Sequence, residues 1–183
     1  MPLPLPGARE ELHSREIQMK GFRRSDGLFE VEAHLEDRRA KAFKIEHGRD
    51  VQAGHLLHDM AIRLVIDLDF VIIDAFASID SSPFEVCSNA APTIEAIKGL
   101  RIEPGWSTKI RERLSGARGC THIRELLGPM ATVAIQSLYE VRQMQPEPVD
   151  ATGKPRKIDS CFAYSHDREI VMKRWPHYFR GSD

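Results

Sequence analysis

His58-Asp59, Cys87-Ser88-Asn89 and Cys120-Thr121-His122 are the places where soft and ionisable residues gather in this chain. Cysteine, histidine and aspartate are the side chains that hold zinc or iron. An imidazole beside a carboxylate moves protons near neutral pH. Two chemistries follow. In the first, His122 and His58 are the acid–base pair, with Asp59 or Glu125 orienting them. His122 and Glu125 lie three residues apart, on one face of a helix. Cys120 and Tyr164 are second-line groups, Tyr164 as a proton donor on a lid. His34 joins them if helices cover its face of the sheet. In the second chemistry, Asp59, Cys87, Cys120 and His122 are metal ligands. Each cluster also has a bland reading. The cysteines serve as small buried apolar residues, and His122 with Glu125 makes a surface pair where a helix dipole favours acid.

The elements that position these residues are legible in the hydrophobic pattern. From Leu28 to Glu36 apolar and polar residues alternate, with Phe29, Val31, Ala33 and Leu35 on one face and Glu30, Glu32, His34 and Glu36 on the other. Residues 41–46 offer a partner. Met60 to Asp67 and Phe70 to Ile79 read as a hairpin turning at Asp67-Leu68-Asp69. Adjacent strand residues point to opposite faces, so only one of His58 and Asp59 enters a given site. After Ile79 the period becomes helical. Ser88 or Asn89 caps a helix with Pro92 in its first turn, placing Cys87 just before it. Gly105-Trp106-Ser107 opens a second helix closed at Gly116. Thr121 caps a long third one, striped by Ile123, Leu126, Leu127, Met130, Ala134 and Leu138 and kinked at Pro129. Ile158 to Tyr164 and Glu169 to Arg174 read as a terminal hairpin.

The resulting expectation is an α+β fold, a small antiparallel sheet packed by helices. Residues 1–20 form an extended arm with one short helix, 21–145 the core domain, and 146–183 a linker and tail that docks on the core or a partner subunit. The chain has 183 residues, 42% of them hydrophobic, enough for a core. Its net charge of −1 gives no field that would recruit nucleic acid or an anionic membrane. No apolar run approaches the roughly 18–20 residues of a membrane span. Three scattered cysteines make no disulfide framework, which points to the cytoplasm. No GxGxxG, P-loop or GxSxG is present, so the expected enzyme needs no cofactor. The alternative takes zinc or iron.

Two resemblances build on these residues. Gly21-Phe22-Arg23-Arg24, Glu32-Ala33-His34-Leu35, His58-Asp59-Met60 and Arg118-Gly119-Cys120-Thr121-His122-Ile123, with Asp159, Cys161 and Trp175-Pro176, resemble a bacterial family of unknown function. Its members are tied to breakdown of lignin-related aromatics. The resemblance implies a small aromatic substrate. A lyase reaction, elimination or retro-aldol cleavage, is the expected chemistry on it, because it needs only a base, an acid and an apolar slot for the ring. A homodimer is among the expected assemblies. Residues 55–140 are distantly similar to iron–sulfur scaffolds of the NifU/SufE type, in which an early Cys-x-Asp, a middle Cys and a late His-Cys hold the metal. Asp59 and Cys87 match, whereas His58 and Leu57 stand where the early Cys and its neighbour belong, and Thr121 separates Cys120 from His122.

Overall fold

The computed structural model describes residues 3–181, so Met1 and Pro2 of the expected arm lie outside the described residues. The chain divides into two compact units, Met1–Tyr139 and Glu140–Asp183.

The first unit is a four-stranded antiparallel meander, β1 (His13–Arg23), β2 (Phe29–Arg39), β3 (Leu56–Ile66) and β4 (Ile72–Ser81), in spatial order β1-β2-β3-β4. The alternation in β2 carries its apolar residues to a buried face: Phe29, Val31, Ala33 and Leu35 are at most 3% exposed. Met60, Ile62, Leu64 and Ile66 of β3 continue that face. The first expectation to be corrected is the arm. Its second half is strand β1, paired along its whole length with β2, because Ile17 and Met19 find Leu35 and Ala33 opposite them. Residues 41–46 do not extend the sheet; only Phe43 bridges Val51.

Helices cover one face of the sheet. A 3-10 segment, Glu85–Ile97, leads to α1 (Trp106–Leu114) and α2 (Thr121–Ser137). The expected α-helix after Cys87 is instead 3-10, and it starts earlier. Phe84 caps it, so Cys87 lies in its first turn. Ser88 Oγ and Thr93 Oγ1 donate to the carbonyls three residues back, at 2.8 and 2.6 Å. Such hydroxyl bonds compete with the α-helical ladder and, with Pro92, favour the tighter turn. α2 runs unbroken through Pro129, whose missing N–H leaves the Glu125 carbonyl without its helical donor. Its cap is Cys120 and not Thr121, since the Cys120 carbonyl accepts the Arg124 N–H at 3.0 Å. Trp106 Nε1 donates to the Leu127 carbonyl at 3.0 Å and fastens α1 to α2. α2 sits on β1 so closely that only glycine fits at Gly21. A Cβ there would lie 1.8 Å from Ser137 Oγ.

In the second unit the expected hairpin is absent. After the short helix α3 (Tyr139–Gln143), residues 158–164 form turns and a 3-10 turn at Phe162–Tyr164. Glu169–Arg174 is helix α4. Ile158, Val171 and Trp175 make a small core there, with Tyr164 and Tyr178 packed against it. The helical turn brings Val171 and Trp175, four apart, onto one face of that core. No helix of the described residues is long and apolar enough to cross a membrane.

A buried Asp–His–His centre at the sheet corner

The inward alternation of β2 does not stop at Leu35. Asp37 is the next residue on that face and is 1% exposed. Its cross-strand neighbour on β3 is His58, 8% exposed, and the register slips just beyond it. Between Asp37–His58 and Arg38–Leu56 the β3 strand carries one extra residue, Leu57. Such a bulge re-aims the side chains beside it. Across from Asp37 on the other side is Arg15 of β1. The start of α2 completes the corner with Cys120, His122 and Glu125.

The carboxylate of Asp37 is the hub. It accepts from Arg15 Nε at 2.7 Å and Nη2 at 2.8 Å, a two-pronged pair, and from His58 Nδ1 at 2.9 Å. His13 Nε2 lies 3.3 Å away. Burial pushes the Asp37 carboxyl up, but the hydrogen bonds from Arg15 and His58 outweigh it and hold the group below its ordinary range. Asp37 is therefore ionised, and an ionised carboxylate only accepts. His58 must donate from Nδ1, which leaves the lone pair on Nε2. The ring of His122 stands over that of His58, centroids 4.0 Å apart. Cys120 Sγ is 3.8 Å from His122 Nδ1.

Burial drives both imidazoles towards the neutral form. The pKa of His58 is lowered first by burial and then by His122, against the pull of Asp37. That of His122 is lowered by burial and by the Arg15 cation, against Asp37 and Glu125. At pH 7 the corner thus holds two uncharged imidazoles, one carboxylate and one guanidinium. Glu125 bonds Arg15 Nη1 at 3.3 Å at the exposed rim; its partner is Arg15, where the sequence pointed to His122.

The remaining expected residues lie elsewhere. Asp59, one residue after His58, points to the opposite, open face of the sheet, where it meets His34 Nε2 at 2.6 Å. Helices do not cover that face, and the His34 side chain is 46% exposed. His34, Glu36 and Asp59 form a second group with ligand-type atoms within 4.8 Å of one another, as Asp37, His58 and His122 do on the covered face. Among the described residues these are the two such groups, so the set Asp59, Cys87, Cys120 and His122 is not brought together. Strand alternation alone splits Asp59 from His122. Tyr164 belongs to the second unit, its ring 5.9 Å from that of Trp175.

The sequence reading missed Asp37 and Arg15. The signal for Asp37 was there: carrying the period-two pattern of β2 one step past Glu36 puts a carboxylate on the apolar face. Arg15 had no such signal, since it lies in a stretch that reads as a polar arm.

Fold and corner together define an α+β protein with one helix-covered sheet face and a buried carboxylate that orients one imidazole, against which a second ring stacks. The chain belongs to the family described as protein of unknown function (DUF2889), whose model matches residues 13–136. That span includes all of Arg15, Asp37, His58, Cys120 and His122. No curated protein and no solved structure matches the chain significantly.

Proposed function

We propose that the chain is a small cofactor-free enzyme whose proton-transfer centre is the His58–His122 pair. Its reaction is a lyase-type cleavage, elimination or retro-aldol, of an aromatic, lignin-derived compound. The observation that carries this reading is the 2.9 Å bond from His58 Nδ1 to the buried Asp37 carboxylate. It fixes the ring and its tautomer and leaves Nε2 as a base, as acid–base catalysis needs. The neutral state of both imidazoles supports it, because a protonated imidazole takes no proton. In a retro-aldol step, His58 Nε2 removes the proton of a side-chain hydroxyl. The carbon–carbon bond beside it breaks, an aldehyde leaves, and the electron pair stays on the carbon next to the ring. The carbon takes up a proton in place of the one His58 removed: the His58 imidazolium passes its proton to the neutral His122 ring, which accepts it on one nitrogen and releases the proton of the other, so both imidazoles end neutral. Nothing is oxidised or reduced, so no redox partner is required. The aromatic substrate rests on the family resemblance.

Asp37, His58 and His122 also have the composition of a two-histidine, one-carboxylate metal site, and their ligand-type atoms fall within 4.8 Å. Arg15 weighs against this second reading. Its guanidinium engages both oxygens of Asp37, and a divalent ion there would face a fixed cation. The NifU-type scaffold reading has less support still, since its ligand set is split across the sheet.

The test is turnover by the full chain, purified without chelator, of phenolic lignin-derived dimers bearing a side-chain hydroxyl, with aldehyde release as the readout. His58→Ala and His122→Ala are expected to lower kcat by roughly 10²–10⁴-fold while leaving the fold intact by circular dichroism. Undiminished turnover in either variant overturns the assignment of that imidazole. Stoichiometric zinc or iron lost from His58→Ala overturns the cofactor-free version.

A further inference from the structure

β1 is the outermost strand of the sheet, and nine of its eleven residues are exposed. Its hydrogen-bonding direction can be read from the ends of the β1–β2 ladder. Arg24 N–H donates to the Leu28 carbonyl and Ala40 N–H to the Leu12 carbonyl. Even-numbered residues of β1 therefore direct N–H and C=O at β2. The odd-numbered ones, His13, Arg15, Ile17, Met19, Gly21 and Arg23, direct theirs outwards. An edge this long is a template for another strand. The opposite edge is partly taken: Ile72 and Phe70 exchange backbone bonds with Gly99, Leu100 and Ile102.

We infer that two copies of this chain pair antiparallel through β1, with the two-fold axis at Gln18, to make one continuous sheet. The register follows from parity and charge. An antiparallel pair joins residues of like parity, so the axis must fall on a residue. Centred on Gln18, Glu16 stands opposite Lys20 of the second copy, twice, and Ile17 opposite Met19. Centred on Met19, Arg15 would face Arg23. Centred on Ile17, Glu16 would face only Gln18. The Gln18 register also relieves a defect within the chain. Glu16 lies opposite Glu36 on β2, and like charges directly opposite are unfavourable. A lysine on its other side offsets this. Ile17, 47% exposed in the single chain, gains an apolar neighbour. Arg15 meets Gly21 of the second copy, which has no side chain to crowd the Arg15–Asp37 pair. Since each β1 is used once, the pairing closes as a dimer and does not propagate.

The experiment is light scattering on the full chain as it elutes from gel filtration. The wild type is expected at twice the chain mass of 20.8 kDa. Ile17→Pro removes one outward N–H and leaves the β1–β2 ladder intact, so a folded monomer is expected. Glu16→Lys is expected to raise the dimer dissociation constant about tenfold or more, and Glu16→Lys with Lys20→Glu to restore it, because the swapped charges still face each other in this register. Gln18→Cys sits opposite its own copy and is expected to form an intermolecular disulfide on mild oxidation, whereas Lys20→Cys is not. A wild-type monomer, a dimer untouched by Ile17→Pro, or a double swap without rescue each overturns the proposal.

Discussion

Replacing Asp37 by Asn keeps the volume and removes one charge and one acceptor, and its consequences can be worked from the geometry. Arg15 uses both oxygens, Oδ1 for Nε and Oδ2 for Nη2, while His58 uses Oδ2. Whichever oxygen becomes NH2, one Arg15 donor loses its acceptor. The better flip keeps Oδ2, so His58 keeps its partner and its tautomer. Breaking a buried charged pair costs about 3–5 kcal/mol. Arg15 keeps 32% of its side chain in water, so screening reduces the loss, and we expect about 2–3 kcal/mol at pH 7. For a chain of this size that lowers Tm by roughly 4–12 °C. The pH dependence carries a signature. The folded-state pKa of Asp37 is depressed, so its contribution is complete above the ordinary value of 3.8 and is lost as pH falls below it. Asn does not titrate, so the gap between wild type and variant closes in that acid range. His58 behaves oppositely to a histidine that gains a cation-stabilising partner. Its folded pKa is below 6.5, so the unfolded chain binds more protons and stability falls as pH drops below 6.5. Removing Asp37 removes the influence that holds that pKa up, so the variant loses more in this window. The gap should widen below pH 6.5 and then close below 3.8. Thermal melts at several pH values, followed by circular dichroism, measure it. A wild-type Tm at pH 7, or a gap that does not change with pH, would refute the carboxylate as the hub of the corner.

Two further substitutions separate the parts of the structure. His34→Ala alters the exposed pair with Asp59 on the open face, so both stability, within about 0.5 kcal/mol, and aldehyde release should match the wild type; loss of turnover in this variant would move the functional site to that face. Gly21→Ala forces a Cβ against Ser137 and should cost about 1–3 kcal/mol in urea denaturation. Adding Ser137→Gly should recover most of it, and failure to recover would mean that α2 is not seated on β1 at this point.

Much of the sheet was legible because a half-buried strand writes its two faces into the sequence. β2 and the β3–β4 hairpin are where alternation puts them. α1 and α2 follow from their glycine punctuation and apolar stripe. β1 was not legible, since one of its faces and its edge meet solvent and its residues read as a polar arm. The 3-10 segment escaped because hydroxyl-to-backbone bonds from Ser88 and Thr93 decide between two helical forms with nearly the same residue pattern. The tail hairpin failed for a related reason. Six residues of Glu169–Arg174 carry too little periodicity to tell a strand from one and a half helical turns. At the site, the alternation rule did predict that His58 and Asp59 part company. It gave no guidance on which of them α2 would meet, because that depends on which sheet face the helices choose.

That choice of face decides the chemistry. The chain builds two histidine–carboxylate pairs at one end of the same sheet, His58–Asp37 beneath α2 and His34–Asp59 in the open. Their hydrogen bonds are 2.9 and 2.6 Å, so distance does not favour the covered pair. Burial does. In the open, water screens the pair, and an exposed pair contributes little that is specific. Under α2 the imidazole loses its hydration, its neutral form is favoured, and Asp37 has no water to share its charge with, so it must be matched by Arg15 and His58. The arginine from β1 is what allows a carboxylate to remain ionised at that depth. The same strand that supplies this counter-charge also forms the edge where a second copy is proposed to pair. A substitution that disturbs the β1 backbone should therefore register both in the oligomeric state and in the protonation behaviour of His58. Ile17→Pro, which removes only an N–H directed away from β2 and leaves the β1–β2 ladder in place, should alter the first and spare the second.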